Sequence, residues 1–321
     1  MLSRLRIAAV ALALLACTSL ARDFTPPDAE ARRAAIGRTD LLPALFRQAF
    51  AEDDDFAPIA KPERGDWLAA HKEDGQTFDQ FLDSNPQRPD EARPKIYILP
   101  LGNVTTERSP SLARLQEFAT AFFQLETVVL PAAEIDDKSF RPRLNPHSKR
   151  RQIYTISVLG YLSFKLPADA YCLLGVTMED LYPAASWNYV FGQASLSERV
   201  GVYSFVRYDP EFFGEARSKT DASLILRRSC KVLAHESVHM FGLPHCIYFQ
   251  CLENGSNSLP ETDRKPLELC PVCLRKLRYS VGFDLVKRYR DLEKFYRSAG
   301  WEDDAAWVQR RLKKLAAAEG K

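Results

Sequence analysis

The chain has 321 residues, enough for one large or two modest domains with a real core. At 46% hydrophobic and 27% charged it has the composition of a folded soluble protein, which excludes a disordered or low-complexity chain. The formal net charge of +2 is nearly balanced, so charge gives no argument for nucleic acid or acidic substrates, and no nucleic-acid partner is expected.

The first residues read as a targeting segment. Arg4 and Arg6 form a short basic region, and Ile7 to Ala16 is an apolar run too short to span a bilayer. Leu14-Leu15-Ala16-Cys17 resembles the lipobox of bacterial lipoproteins, which makes residues 1–16 the signal and Cys17 a lipidated N-terminus. Ser19-Leu20-Ala21 offers ordinary cleavage instead, ending the signal at residue 21. Either exit predicts export to the periplasm or cell envelope. The first adds a membrane tether, and the second leaves a secreted protein.

Residues 22–94 read as an N-terminal arm. Leu41, Leu42, Leu45, Phe46 and Phe50 fall at helical spacing and predict one or two amphipathic helices. Residues 51–95 are rich in Asp, Pro and Gln, with isolated aromatics at Trp67, Phe78 and Phe81, as in an extended segment lying over a body. The body, residues 95–296, opens with the apolar strand Ile96–Leu101. There follow a helix over Leu112–Phe123, a strand over Thr127–Leu130, a loop around 141–151, a helix over Ile153–Phe164 and a strand over Tyr171–Val176. Two further strands are expected, Tyr189–Ala194 and Val200–Tyr208, then a long helix from Asp221 to Phe241. The predicted class is α+β, a mixed α/β sheet feeding a helix. The tail from Lys287 is charged and helical and is expected to pack outside the core, with residues 297–321 as a separate C-terminal helix.

The chemistry concentrates in His235-Glu236-Ser237-Val238-His239-Met240-Phe241-Gly242-Leu243-Pro244-His245. Residues four apart lie on one helix face, so His235 and His239 aim at a common point. Gly242 can take the left-handed conformation that ends a helix, returning His245 as a third nitrogen. Three protein ligands leave one position open, as in a catalytic zinc site. Zinc held there acidifies water and polarises a scissile carbonyl, and Glu236, about 100° around the helix, is the candidate general base. The five-residue H-E-x-x-H match alone is weak; the full eleven-residue pattern is strong.

Four of the seven cysteines follow at once: Cys246, Cys251, Cys270 and Cys273. Two close thiol pairs suit a tetrahedral structural zinc, which would pin the turn carrying His245. Two disulfides are the competing reading for an exported protein. Cys172 and Cys230 read as core thiols, with a disulfide between them open. Trp187, Asn188 and Tyr189 are expected in the core or cleft wall, and His71 and His147 facing solvent.

At these residues the chain resembles the archaemetzincins, zinc metallopeptidases of the metzincin clan, and their animal-type members in particular. The family pattern extends H-E-x-x-H-x-x-G-x-x-H by a cysteine, C-x-M and a C-x-x-C. Thr177–Pro183, Ser186–Ser195, Asn254–Asn257 and Asp263–Cys273 also read like family segments, as do Asp66-Trp67-Leu68 and Gln76-Thr77-Phe78. The likeness covers roughly residues 60–296. It implies two zincs per chain: a catalytic one on His235, His239 and His245 with Glu236 as base, and a structural one on the four cysteines. It implies a peptide or protein substrate, and aminopeptidase or short-peptide hydrolase activity. It also makes Val200–Phe205 the sheet edge beside the cleft, with Val202, Tyr203 and Ser204 pairing an extended peptide. A monomer is expected. One departure stands out: Cys251-Leu252-Glu253 puts a carboxylate where the family has methionine. That substitution favours a second reading, a zinc-binding but weakly active or inactive peptide-binding protein. The expectation is that Glu253 tunes or weakens the site without ligating zinc.

Overall fold

The computed structural model describes residues 24–104, 108–195 and 197–320; Cys17 and the signal region lie outside them. The main sheet has five strands in the order β2 (Glu126–Val129), β1 (Lys95–Leu101), β5 (Ala170–Thr177), β8 (Val200–Ser204), β7 (Gly192–Ser195). The first four are mutually parallel, and β7 alone runs antiparallel, against β8. A small second sheet joins β3 (Arg143–Leu144), β4 (Arg151–Tyr154) and β6 (Asp180–Tyr182).

The near-continuous apolar runs of β1 and β5 follow from a sheet covered on both faces. Alternation along a strand sends neighbouring side chains to opposite cores. Ile96 and Ile98 join one core with Phe118, Phe122, Leu233 and Val238, while Tyr97, Leu99 and Leu101 join the other with Val158 and Leu162. Before the sheet come α1 (Ala29–Ile36), α2 (Ala44–Ala49), α3 (Trp67–Ala70) and α4 (Phe78–Asp83). Next are α5 (Leu112–Phe123), α6 (Asp137–Phe140) and α7 (Thr155–Lys165). The long α8 (Asp221–Met240) packs on β7 and β8, followed by α9 (Leu259–Arg264), α10 (Pro271–Val281), α11 (Leu285–Ser298) and α12 (Glu302–Glu319).

Several sequence expectations change. Ile153 belongs to β4, laddered to Leu181, so the helix starts only at Thr155. The strand expected from Tyr189 begins at Gly192; the preceding residues form a crossing loop held by a bridge between Val190 and Leu181. The strand expected to reach Tyr208 stops at Ser204 and continues as a 3-10 turn over Val206–Tyr208. The tail does not pack outside the core. Ala305, Val308 and Leu315 of α12 join the larger core, and Arg311 is wholly buried. Their spacing makes an apolar stripe on an otherwise charged helix, and that stripe lies on α11 and α2.

The expectation that β8 is the cleft edge is overturned. β8 is paired on both sides, by β5 and β7. Val202, Tyr203 and Ser204 are accordingly buried, Val202 in one core and Tyr203 in the other, and cannot pair a peptide. The strand bordering the cleft is β7.

Candidate active site

On α8 the i, i+4 spacing brings the His235 and His239 rings to 4.6 Å between centroids. The helix stops at Met240, Gly242 takes φ +84°, and the chain returns His245 to 5.2 Å from His235 and 5.1 Å from His239. One ligand atom from each ring lies within 4.8 Å of the others. Each Nδ1 already faces an acceptor. His235 Nδ1 meets the Leu252 carbonyl at 3.2 Å, His239 Nδ1 the Leu243 carbonyl at 2.6 Å, and His245 Nδ1 a carboxylate oxygen of Glu73 at 2.8 Å. Donation from Nδ1 leaves the Nε2 lone pair free, the tautomer a metal requires. Burial holds His235 well below the usual imidazole range and lowers His239 to about 3, so both rings are neutral. The donor set therefore fits zinc.

Glu236 is buried beside the three rings, and burial raises its carboxyl to about 8. Its contact with β7 is close: a Cβ added at Gly192 would stand 2.7 Å from Glu236 Oε1. Only glycine lets the edge strand approach the carboxylate this closely.

Glu253 stands behind the rings. Its carboxylate is fully buried, 3.0 Å from His239 Nδ1 and 3.7 Å from His235 Nδ1, on the Nδ1 side of both. His239 Nδ1–H is directed to Leu243, so neither Glu253 oxygen has a hydrogen-bond partner. Burial raises this carboxyl well above the usual range.

The four cysteines of the second cluster are buried, free of disulfides and mutually within 4.8 Å, with Cys246 Sγ and Cys270 Sγ 3.6 Å apart. A tetrahedral zinc–thiolate set has sulfurs about 3.8 Å apart, so the cluster fits zinc. Backbone N–H groups of Glu253 and Cys270 point at Cys251 Sγ, at 3.5 and 3.3 Å. Asn254 closes the turn, donating to the Cys246 and Phe249 carbonyls. Cys172 and Cys230 are separate buried free thiols.

The histidines open into a cleft of about 630 Å³. Trp187, Asn188 and Tyr189 form one wall, as expected. A buried pair props it from below: Arg207 is bidentate to Asp180 at 2.7 Å and lies over the Tyr189 ring. His147 is exposed, but His71 stacks on Trp67 with centroids 3.8 Å apart instead of facing solvent alone.

Glu73, Lys231 and Lys265 went unnoticed in the sequence. Lys231 and Lys265 line the cleft, and their ammonium groups donate to backbone carbonyls, those of Thr262 and Asp263 for Lys231 and that of Asn254 for Lys265. Burial lowers them to about 7 and about 8. Lys231 lies four residues before His235, and that spacing marks it as a neighbour on the same helix stripe. No local signal marks Glu73, 172 residues from His245.

The profile described as Peptidase family M54 matches residues 168–279. Archaemetzincin-2 of Mus musculus is 38% identical over 288 residues, covering 81% of this chain and 79% of that protein. Archaemetzincin-2 of Homo sapiens is 38% identical over 289 residues, covering 81% and 78%. Among solved structures, the archaemetzincin of Archaeoglobus fulgidus complexed with malonate shares 31% identity at a TM-score of 0.43, covering 57% of this chain and 99% of that one. By its likeness to relatives over most of its own length and theirs, the chain belongs to the archaemetzincin family of zinc metallopeptidases.

Proposed function

We propose that this protein hydrolyses peptide bonds with a catalytic zinc on His235, His239 and His245, and that a second, structural zinc sits on Cys246, Cys251, Cys270 and Cys273. The observation that carries the reading is the convergence of three imidazoles whose Nδ1 atoms are already engaged, beside a buried glutamate. Zinc bound there supplies Lewis acidity toward a carbonyl oxygen and water. The chain supplies the rest. An extended peptide lies along β7, whose Gly192, Gln193 and Ala194 border the cleft, and pairs with it by main-chain hydrogen bonds. A cation on the three rings would offset the burial and favour ionised Glu236, whose carboxylate takes a proton from the attacking water and returns it to the leaving amine. The family likeness supports an aminopeptidase or short-peptide hydrolase.

The second reading, a peptide-binding pseudo-peptidase, draws on Glu253. Its position on the Nδ1 side of the rings favours catalysis instead, because the carboxylate is not among the atoms converging on the metal position. The test is cleavage of a peptide library by Glu236→Gln, with metal counted per chain. Loss of at least about 10²-fold with both zincs retained is expected; undiminished cleavage would reject the mechanism. We further propose export, with a lipid on Cys17, on the strength of the leader pattern alone. Cys17→Ala should abolish partition into detergent and change the mass of the N-terminal peptide.

A further inference from the structure

We propose that Glu73 is a positioning residue for the catalytic metal, so that the N-terminal arm is part of the metal centre and not a cover laid over it. The inference rests on His245 being a metal ligand. Two of the three histidines are oriented by backbone carbonyls, that of Leu243 four residues from His239 and that of Leu252 in the turn after His245 for His235. His245 lies beyond the helix, and the acceptor of its Nδ1–H is a carboxylate delivered from 172 residues away. A carboxylate behind an imidazole fixes the ring's tautomer and plane and makes Nε2 a stronger donor than a carbonyl does.

The carboxylate is itself held. Trp67 Nε1–H donates to the same Glu73 oxygen at 2.8 Å, and the Trp67 ring stands edge-on to His245 with centroids 5.0 Å apart. Trp67 is in turn seated on the catalytic body. Its backbone N–H donates to Glu261 at 2.8 Å, and its ring lies so close on Gly255 that a Cβ there would come within 2.4 Å. On the other side of Glu73, Gly75 at φ +68° packs where a Cβ would stand 2.7 Å from Ile247, and Lys276 donates to Gln76 Oε1 at 3.0 Å. The segment from Trp67 to Gln76 is thus clamped at both ends, with Glu73 presented to the third ligand between them.

The test is zinc affinity of the full chain, by competition with a chromophoric chelator, for Glu73→Ala, Glu73→Gln and His245→Ala. The visible absorption of the cobalt-substituted proteins is recorded alongside. Glu73→Ala should weaken the histidine site about 10–100-fold and shift the cobalt bands, while the cysteine site is unchanged. Glu73→Gln, which keeps an acceptor but not the charge, should fall between it and the parent. That ordering separates positioning from a purely structural pairing, which moves the melting midpoint but not the cobalt spectrum. If Glu73→Ala binds zinc at the histidines within about twofold of the parent while His245→Ala weakens it, this inference fails and the proposed function stands. If His245→Ala also leaves zinc binding unchanged, both fail.

Discussion

Glu253 shows two opposing effects at a single residue. With no hydrogen-bond partner for either oxygen, its carboxyl is a cost whenever the metal is absent, about 1–3 kcal/mol for an unsatisfied buried polar group. Zinc on the rings would favour the ionised form of Glu253, and a carboxylate 3.0 Å and 3.7 Å from two Nδ1 atoms would then strengthen their donation. Glu253→Met should therefore raise the melting midpoint, by a few degrees, when the histidine site is empty and the cysteine site loaded. The same substitution should weaken zinc binding at the histidines. Calorimetry and chelator competition on one pair of proteins read both signs, and a lowered midpoint would contradict the account. That a carboxylate replaces the family methionine here was readable from a motif departure. The direction of the carboxylate was not, because it depends on the turn fixed by Cys251 and Asn254.

At the scale of elements, what the sequence revealed followed from local periodicity. The bounds of α5 and α8 come out nearly as expected because their apolar spacing is long and regular and their ends are marked: Ser111 caps the start of α5, accepting from Arg114 N–H, and Gly242 turns the chain after α8. The convergence of His235, His239 and His245 was legible for the same reason, since one helical repeat and one turn bring them together. Strand partnership was not. Gly192–Ser195 has no apolar alternation, so nothing local says that it covers β8 and becomes the edge. Its consequence is specific. Gly192→Ala would set a methyl 2.7 Å from Glu236 Oε1, so either the carboxylate or the edge strand must shift. The variant should lose roughly 10²-fold in kcat, the scale of a misplacement of about 1 Å, while zinc content stays at the parent value. Unchanged kcat would show that the base does not work from this position.

Over the whole molecule, the C-terminal helix meets the N-terminal arm, which no reading of a charged tail foresees. Arg311 of α12 is buried and donates to Asp53 at 2.7 Å, Asp55 at 3.2 Å, and the carbonyls of Gln48 and Ala49. Asp53, Asp54 and Asp55 thus form a clamp met by Arg310, Arg311 and Lys314, and the same stretch leads on to Trp67 and Glu73. Removing one member of a buried ion pair costs about 3–5 kcal/mol. Lys314 and Arg310 remain for the carboxylates, so Arg311→Met should cost about 2–3 kcal/mol, read from urea unfolding of the zinc-loaded protein. Truncation after Gly300 removes Ala305, Val308 and Leu315 from the core as well and should abolish the cooperative transition. A truncated chain that still unfolds cooperatively with the parent's midpoint would make the helix an appendage. With it gone, the arm would keep its contacts with α10, the bridge from Pro58 to Phe249 and its contacts beside the cleft to hold Glu73 against His245.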